Sequence, residues 1–244
     1  MKTKCSCVAA LTGALLGPAA VAEGTNDWSL DVAPYLWVAS VEVETGQPST
    51  PSGVDRFDTR ISGGAMLAAQ ARYRSVGLAV DFAWLRLDTE AIHSGPAFSA
   101  VDLKSDFIHT TAALTYRLPL HGKFHAEVLA GARLWYVNED LEFKSGVLPG
   151  FKSSHDETWV DPVIGADLSY DLSRRWSLVA KGTVGGFGVA SDIAWEVFSG
   201  VGYRMTDRSS VTLGYRYLHE EYDHNGFALN LDAHGLLLGF GFHF

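Results

Sequence analysis

From Trp28 to Phe244 apolar and polar side chains alternate at every second residue, and no segment repeats at a helical period. A chain patterned this way folds as strands. The last run shows it best: Leu236, Leu238, Phe240, Phe242 and Phe244 share one face, and Gly235, Leu237, Gly239, Gly241 and His243 share the other. From Val76, the residues Leu78, Val80, Phe82 and Trp84 oppose Gly77, Ala79, Asp81 and Ala83. From Phe124, the residues Ala126, Val128, Ala130, Ala132, Leu134 and Tyr136 oppose His125, Glu127, Gly131 and Arg133. The pattern predicts about ten strands of roughly 9 to 15 residues each. Their expected spans are 28–43, 60–74, 76–89, 104–118, 123–138, 158–171, 175–187, 192–204, 210–221 and 229–244. If the Gly-rich link at 187–191 is a bulge rather than a turn, the count falls to eight. Short turns at 74–75, 118–123, 171–175 and 205–209 alternate with longer loops at 44–59, 90–103, 139–157 and 222–228. That rhythm is the signature of a closed, antiparallel, up-and-down β-barrel, an all-β fold.

Alternation does not say which face is inside; composition does. Only 19% of the residues are charged. As a water-exposed exterior, the Gly235–His243 face would carry almost no charge; as the interior of a narrow barrel, its small residues fit. The aromatic residues agree. Tyr73, Tyr116, Phe124, Tyr170, Trp176, Tyr203 and Phe244 fall on the apolar face near the short turns, and Trp84, Tyr136, Trp195 and Tyr217 near the long loops. Two aromatic rings bracketing aliphatic residues match the two interfaces of a bilayer. The formal charge of −9 argues against nucleic acid as a partner. Lys2 and Lys4, the apolar run Val8–Ala22 and the small residues Ala20-Val21-Ala22 predict a secretory signal peptide over 1–22, with the barrel over 23–244. Both cysteines, Cys5 and Cys7, fall in that leader, so the mature chain has no disulfide framework. Barrel closure leaves no free edge, so a monomer is expected.

In these features the chain resembles the small outer-membrane β-barrel proteins of Gram-negative bacteria, the OmpA-type and related superfamily. The segments 159–165, 185–192 and 215–218 are also similar to a widespread set of small bacterial barrels that mostly lack an assigned activity. The resemblance implies a location in the outer membrane, among its lipid and lipopolysaccharide. It also implies an assembly signal at the C-terminus, read by the barrel-assembly machinery, to which Gly239, Phe242 and Phe244 correspond; Leu237 stands where a polar residue is usual.

With the apolar face outward, the lumen receives Asp31, Gln70, Arg72, Asp81, His109, Arg117, Glu127, Arg133, Asp161, Asp167, Lys181, Glu196, Arg204 and Arg216. Both signs are present, so opposite charges meet across the axis. They form either an internal ion-pair network that fills the barrel or the selectivity lining of a narrow channel. The first reading makes the protein a structural or surface-interaction barrel, the second a porin-like one. A third reading, a lipid-modifying enzyme, rests on His109 and His125 with Thr111 and Glu127 nearby; the chain has no Gly-x-Ser-x-Gly elbow, and we read it as a non-enzyme. No cofactor or metal is expected. The run from His219 to His224 reads as a solvated acidic loop, with Asn225-Gly226 as its turn. Glu44, Asp55, Asp58, Glu90, Asp102, Glu139, Asp140, Asp156 and Glu157 are likewise assigned to loops.

Overall fold

The structure is a computed structural model that describes residues 27–45, 54–93, 98–224 and 227–244. The expected leader at 1–22 and the turn pair Asn225-Gly226 lie outside the described residues. Ten strands follow one another: β1 (Trp28–Thr45), β2 (Val54–Tyr73), β3 (Val76–His93), β4 (Phe98–Arg117), β5 (Phe124–Ser145), β6 (Phe151–Asp171), β7 (Trp176–Gly185), β8 (Ile193–Thr206), β9 (Ser209–His224) and β10 (Phe227–His243). Each pairs antiparallel with its chain neighbours, and β1 pairs with β10 to close the barrel. The link at 186–192 is a turn, not a bulge, so the count is ten. Gly186 and Gly188 reverse the chain there at φ of 81° and 71°, a region glycine enters without steric cost.

The outward face is apolar. Leu114 is 65% exposed and Leu213 55%, and every aromatic residue expected at the two interfaces points outward. Several pair there: Trp28 with Tyr73, Trp176 with Tyr203, and Trp195 with Tyr217 at ring separations of 5.0, 4.7 and 4.8 Å.

Two expectations are corrected. The strands run well past the upper aromatic ring, and β5 and β6 are joined by residues 146–150 alone. All nine carboxylates assigned to loops lie on strands. Cross-strand pairs hold these extensions together: Lys144 with Asp102 at 2.8 Å, Lys152 with Glu142 at 3.0 Å, and the clustered rings of Phe98, Phe143 and Phe151. Likewise 219–224 belongs to β9. His219 faces outward and bonds Asp232 at 2.9 Å, whereas Glu220 turns inward and is fully buried.

The wall is not uniformly paired. β1 pairs with β2 only from Trp28 to Pro34, and β6 with β7 only from Val163 to Asp171. Above Pro34 and Pro162 the ladder therefore lapses, and the barrel divides into two facing sheets, β2 to β6 and β7 to β1. Their inner faces pack like a sandwich. Tyr35, Trp37, Met66, Trp135, Trp159, Leu218, Tyr222, Leu229, Leu231 and Leu237 form one buried apolar cluster.

Candidate functional site

Period-two alternation places every expected lumen residue on the inner wall, and the register decides which of them meet. At mid-height Arg133 of β5 and Arg216 of β9 converge on Glu196 of β8, at 2.9 and 3.1 Å. Arg216 also approaches Asp81 of β3 at 3.6 Å and donates to the Tyr35 hydroxyl at 2.6 Å, while Tyr35 donates to Asp81. Arg133 donates to Thr111 at 3.1 Å and to Thr183 at 2.9 Å. This layer draws on seven of the ten strands and contains two cations and two anions. Arg133 and Arg216 are each 1% exposed and Glu196 2%. Charges so far from water must pair, and these do. The Arg216 guanidinium also lies 4.9 Å from the Trp37 ring centre, at the base of the apolar cluster above.

Below the layer lies a second network. Arg72 donates to Glu127 and to Gln70, both at 2.7 Å, and Gln70 donates to Glu127 and Thr115. Arg117 stands 3.9 Å from Glu127. Between the two networks a cavity of about 140 Å³ is lined by Asp81, Thr111 and Thr183 of the first, by Arg72 and Glu127 of the second, and by Asp167 and Lys181. Asp167 and Lys181 are register partners on β6 and β7, and both face it. At the short-turn rim, Asp31 of β1, His243 of β10 and Ser210 of β9 form a chain. His243 Nδ1 is 2.7 Å from Asp31, and its Nε2 is 3.0 Å from the Ser210 hydroxyl. Arg204 faces the same rim, opposite Ser210 in register.

Above the layer, Asp161 belongs to a third group. Ser191, from the 186–192 turn, bonds Asp161 through its backbone N–H at 2.8 Å and its hydroxyl at 2.6 Å. The same hydroxyl lies 2.5 Å from Glu220, which accepts the Trp159 indole N–H at 3.2 Å. Tyr222 donates to Glu157 at 2.9 Å and stacks on Trp159. These bonds span the lapse between β6 and β7.

The pair of histidines singled out in the sequence is not brought together. His109 packs against the Trp135 ring inside the barrel, while His125 bonds Asp171 at the short-turn rim. Thr111 is engaged by Arg133 and Glu127 by Arg72. Outside the apolar belt, the hydrogen bond from Arg86 holds the Asp106 carboxyl below its ordinary pKa, with the Trp84 indole adding to it against modest burial. Arg74 does the same for Asp27 at the opposite end. Sequence reading missed Tyr35, Ser191, Ser210, Glu220 and His243 as site residues. Alternation places His243 on the inner face, and the same period carried along β9 reaches Ser210 and Glu220.

The profile of a family described as outer membrane protein beta-barrel domain matches residues 7–244. No curated protein matches the chain. Among solved structures, the outer membrane protease OmpT from Escherichia coli superposes with a TM-score of 0.52 at 10% identity, over 89% of this chain and 96% of that one. The translocator domain of the autotransporter NalP from Neisseria meningitidis gives 0.46 at 12%, over 92% and 90%. The outer membrane protein OprG from Pseudomonas aeruginosa gives 0.33 at 12%, over 90% and 96%. At these identities the likeness concerns the fold alone.

Proposed function

The chain belongs to the outer membrane protein β-barrel domain family, and from that premise we propose that it is a bacterial outer-membrane barrel closed by its own side chains, with a structural or surface-interaction role. The observation that carries this reading is the mid-height layer, where Arg133, Glu196, Arg216, Asp81 and Tyr35 bond across the axis. A hydrated path would have to break those bonds and then pass the apolar cluster above them. In the same reading, lipid and lipopolysaccharide surround the apolar belt, and the exposed Phe242 and Phe244 beside Gly239 act as the assembly signal. The working surface is then the acidic strand extensions beyond the upper aromatic ring. The alternative, a narrow diffusion channel, is favoured by the 140 Å³ cavity with its facing Asp167 and Lys181.

Planar-bilayer recording of the folded barrel separates the two. Silence from a demonstrably folded protein is the expected result. Stable conductance steps that shift ion selectivity on Lys181→Gln or Asp167→Asn would establish the channel instead.

A further inference from the structure

The chain formed by Asp31, His243 and Ser210 has the geometry of an acyl-transfer triad, and we propose that it is one: a hydrolytic site for small anionic carboxylic esters at the short-turn mouth of the barrel. The assignment goes beyond the proposed role and is independent of whether the lumen conducts, because the triad lies below the mid-height layer.

Barrel closure builds the arrangement. Asp31 and His243 are register partners across the β1–β10 junction, and Ser210 faces Gly241, one inward step along β10 from His243. All three side chains are buried. Asp31, accepting from Nδ1–H at 2.7 Å, fixes the imidazole tautomer, so that Nε2 presents a lone pair to the Ser210 hydroxyl at 3.0 Å. These are the two contacts that activate a serine, and they are recognised by geometry and role rather than by order in the chain. Gly241 keeps the nucleophile clear: a Cβ there would stand 2.5 Å from Ser210 Oγ.

Charge adjoins the serine, and a narrow gap links it to a larger space. A pocket of about 10 Å³, enough for roughly one water, is lined by Ser210, Ser177, Gly202 and Arg204. Beneath it a vestibule of about 830 Å³ is bounded by the cations Lys123, Arg174, Arg175 and again Arg204 and by the carboxylates Asp171 and Asp207. The Arg204 guanidinium makes no hydrogen bond or ion pair among the described residues. An unengaged cation across the ladder from the nucleophile is available to a developing oxyanion, and four cations against two carboxylates leave the mouth net positive, which favours a substrate carrying negative charge.

The reaction balances with water as the only co-reactant. Ser210 Oγ bonds to the ester carbonyl carbon as its proton passes to His243 Nε2. The carbonyl π electrons move to oxygen, beside Arg204. Their return expels the alkoxide, which takes the proton from His243 and leaves as an alcohol. Water then attacks the acyl group on Ser210, His243 takes its proton and returns one to Oγ, and the carboxylic acid departs.

The test uses the full-length folded barrel in lipid vesicles and an alkyl fluorophosphonate, which phosphonylates activated serines. We expect one adduct per chain, located by peptide mass on Ser210 and absent from Ser210→Ala. Asp31→Asn and His243→Gln should slow labelling on the order of a thousandfold or more. The p-nitrophenyl monoester of succinate should be hydrolysed faster than the neutral acetate, with the gap closing in Arg204→Gln. An unlabelled Ser210 in wild-type protein would overturn the proposal, and that measurement needs no variant to fold. So would equal ester hydrolysis by wild type and Ser210→Ala, or equal rates on both esters.

Discussion

Glu196 shows most directly what a single inward side chain does. It is the anion that both buried arginines share, at 2.9 and 3.1 Å. Removing it leaves two guanidinium groups facing each other with only Asp81 to balance them. Breaking a buried ion pair by deleting one partner typically costs about 3 to 5 kcal/mol, because the remaining charge stays buried. Glu196→Ala is therefore expected to lower the unfolding free energy by about that much, measured by urea titration of the barrel in vesicles. Replacing Asp81, Arg133, Glu196 and Arg216 together by apolar residues of similar volume should cost far less, because none of the layer's charges is left behind. If Glu196→Ala were neutral, the layer would be hydrated and the closed-lumen reading would fail. Asp106 is a useful contrast. Its bond to Arg86 is just as short, but Arg86 is half exposed and screened by solvent, so loss of that pair should change stability far less than loss of Glu196.

At the scale of strands, closure depends on close backbone approach where β10 meets β1. A Cβ on Gly235 would fall 1.8 Å from the Val38 carbonyl oxygen. Gly235→Val should therefore prevent the β10–β1 ladder from forming and abolish the fast-migrating folded band on unheated gels. Gly182→Ala, where a Cβ meets nothing within 4 Å, should leave that band intact. Strand number and the inward and outward faces were legible in the sequence because a side-chain period of two leaves no ambiguity within a strand. Strand ends were not legible. Carboxylates such as Asp140 and Asp156 resemble loop residues until cross-strand partners such as Lys152 and Glu142 are placed opposite one another. Glu220 was lost for the same reason: it sits in an acidic run, and nothing local shows that Ser191 and Trp159 await it. The Asp31, His243 and Ser210 chain needed the register of two ladders, β10 with β1 and with β9, which no single segment encodes. The apolar inner cluster was missed because Trp135, Trp159 and Leu229 lie on a face read for its charges alone.

For the molecule as a whole, the two lapses in pairing matter most. Below Pro34 and Pro162 the wall is a continuous cylinder; above them two sheets face each other, joined by side chains and by a shared apolar core. Each edge strand keeps one ladder and loses the other, so exposure should alternate by residue. On β1, Leu30 exchanges both backbone bonds with Phe244, which assigns even-numbered residues to the β10 ladder. Odd-numbered residues above Pro34 then aim their N–H groups at the lapse. On β6, Pro162 accepts from Gly186, so even-numbered residues face the β7 side and those above Pro162 lack a ladder partner there. Amide hydrogen exchange in vesicles, resolved to single residues, should find Trp37, Ala39 and Val41 fast and Leu36, Val38 and Ser40 slow. The order reverses on β6, with Asp156, Thr158 and Val160 fast and Glu157, Trp159 and Asp161 slow. Below the prolines no such alternation should appear, because both ladders are made: on β6, Ile164 and Val163 should be equally protected. Uniform protection along the upper half of β1 would mean that β2 continues to pair there. The upper barrel would then be a cylinder, and its apolar core would owe nothing to the packing of two sheets.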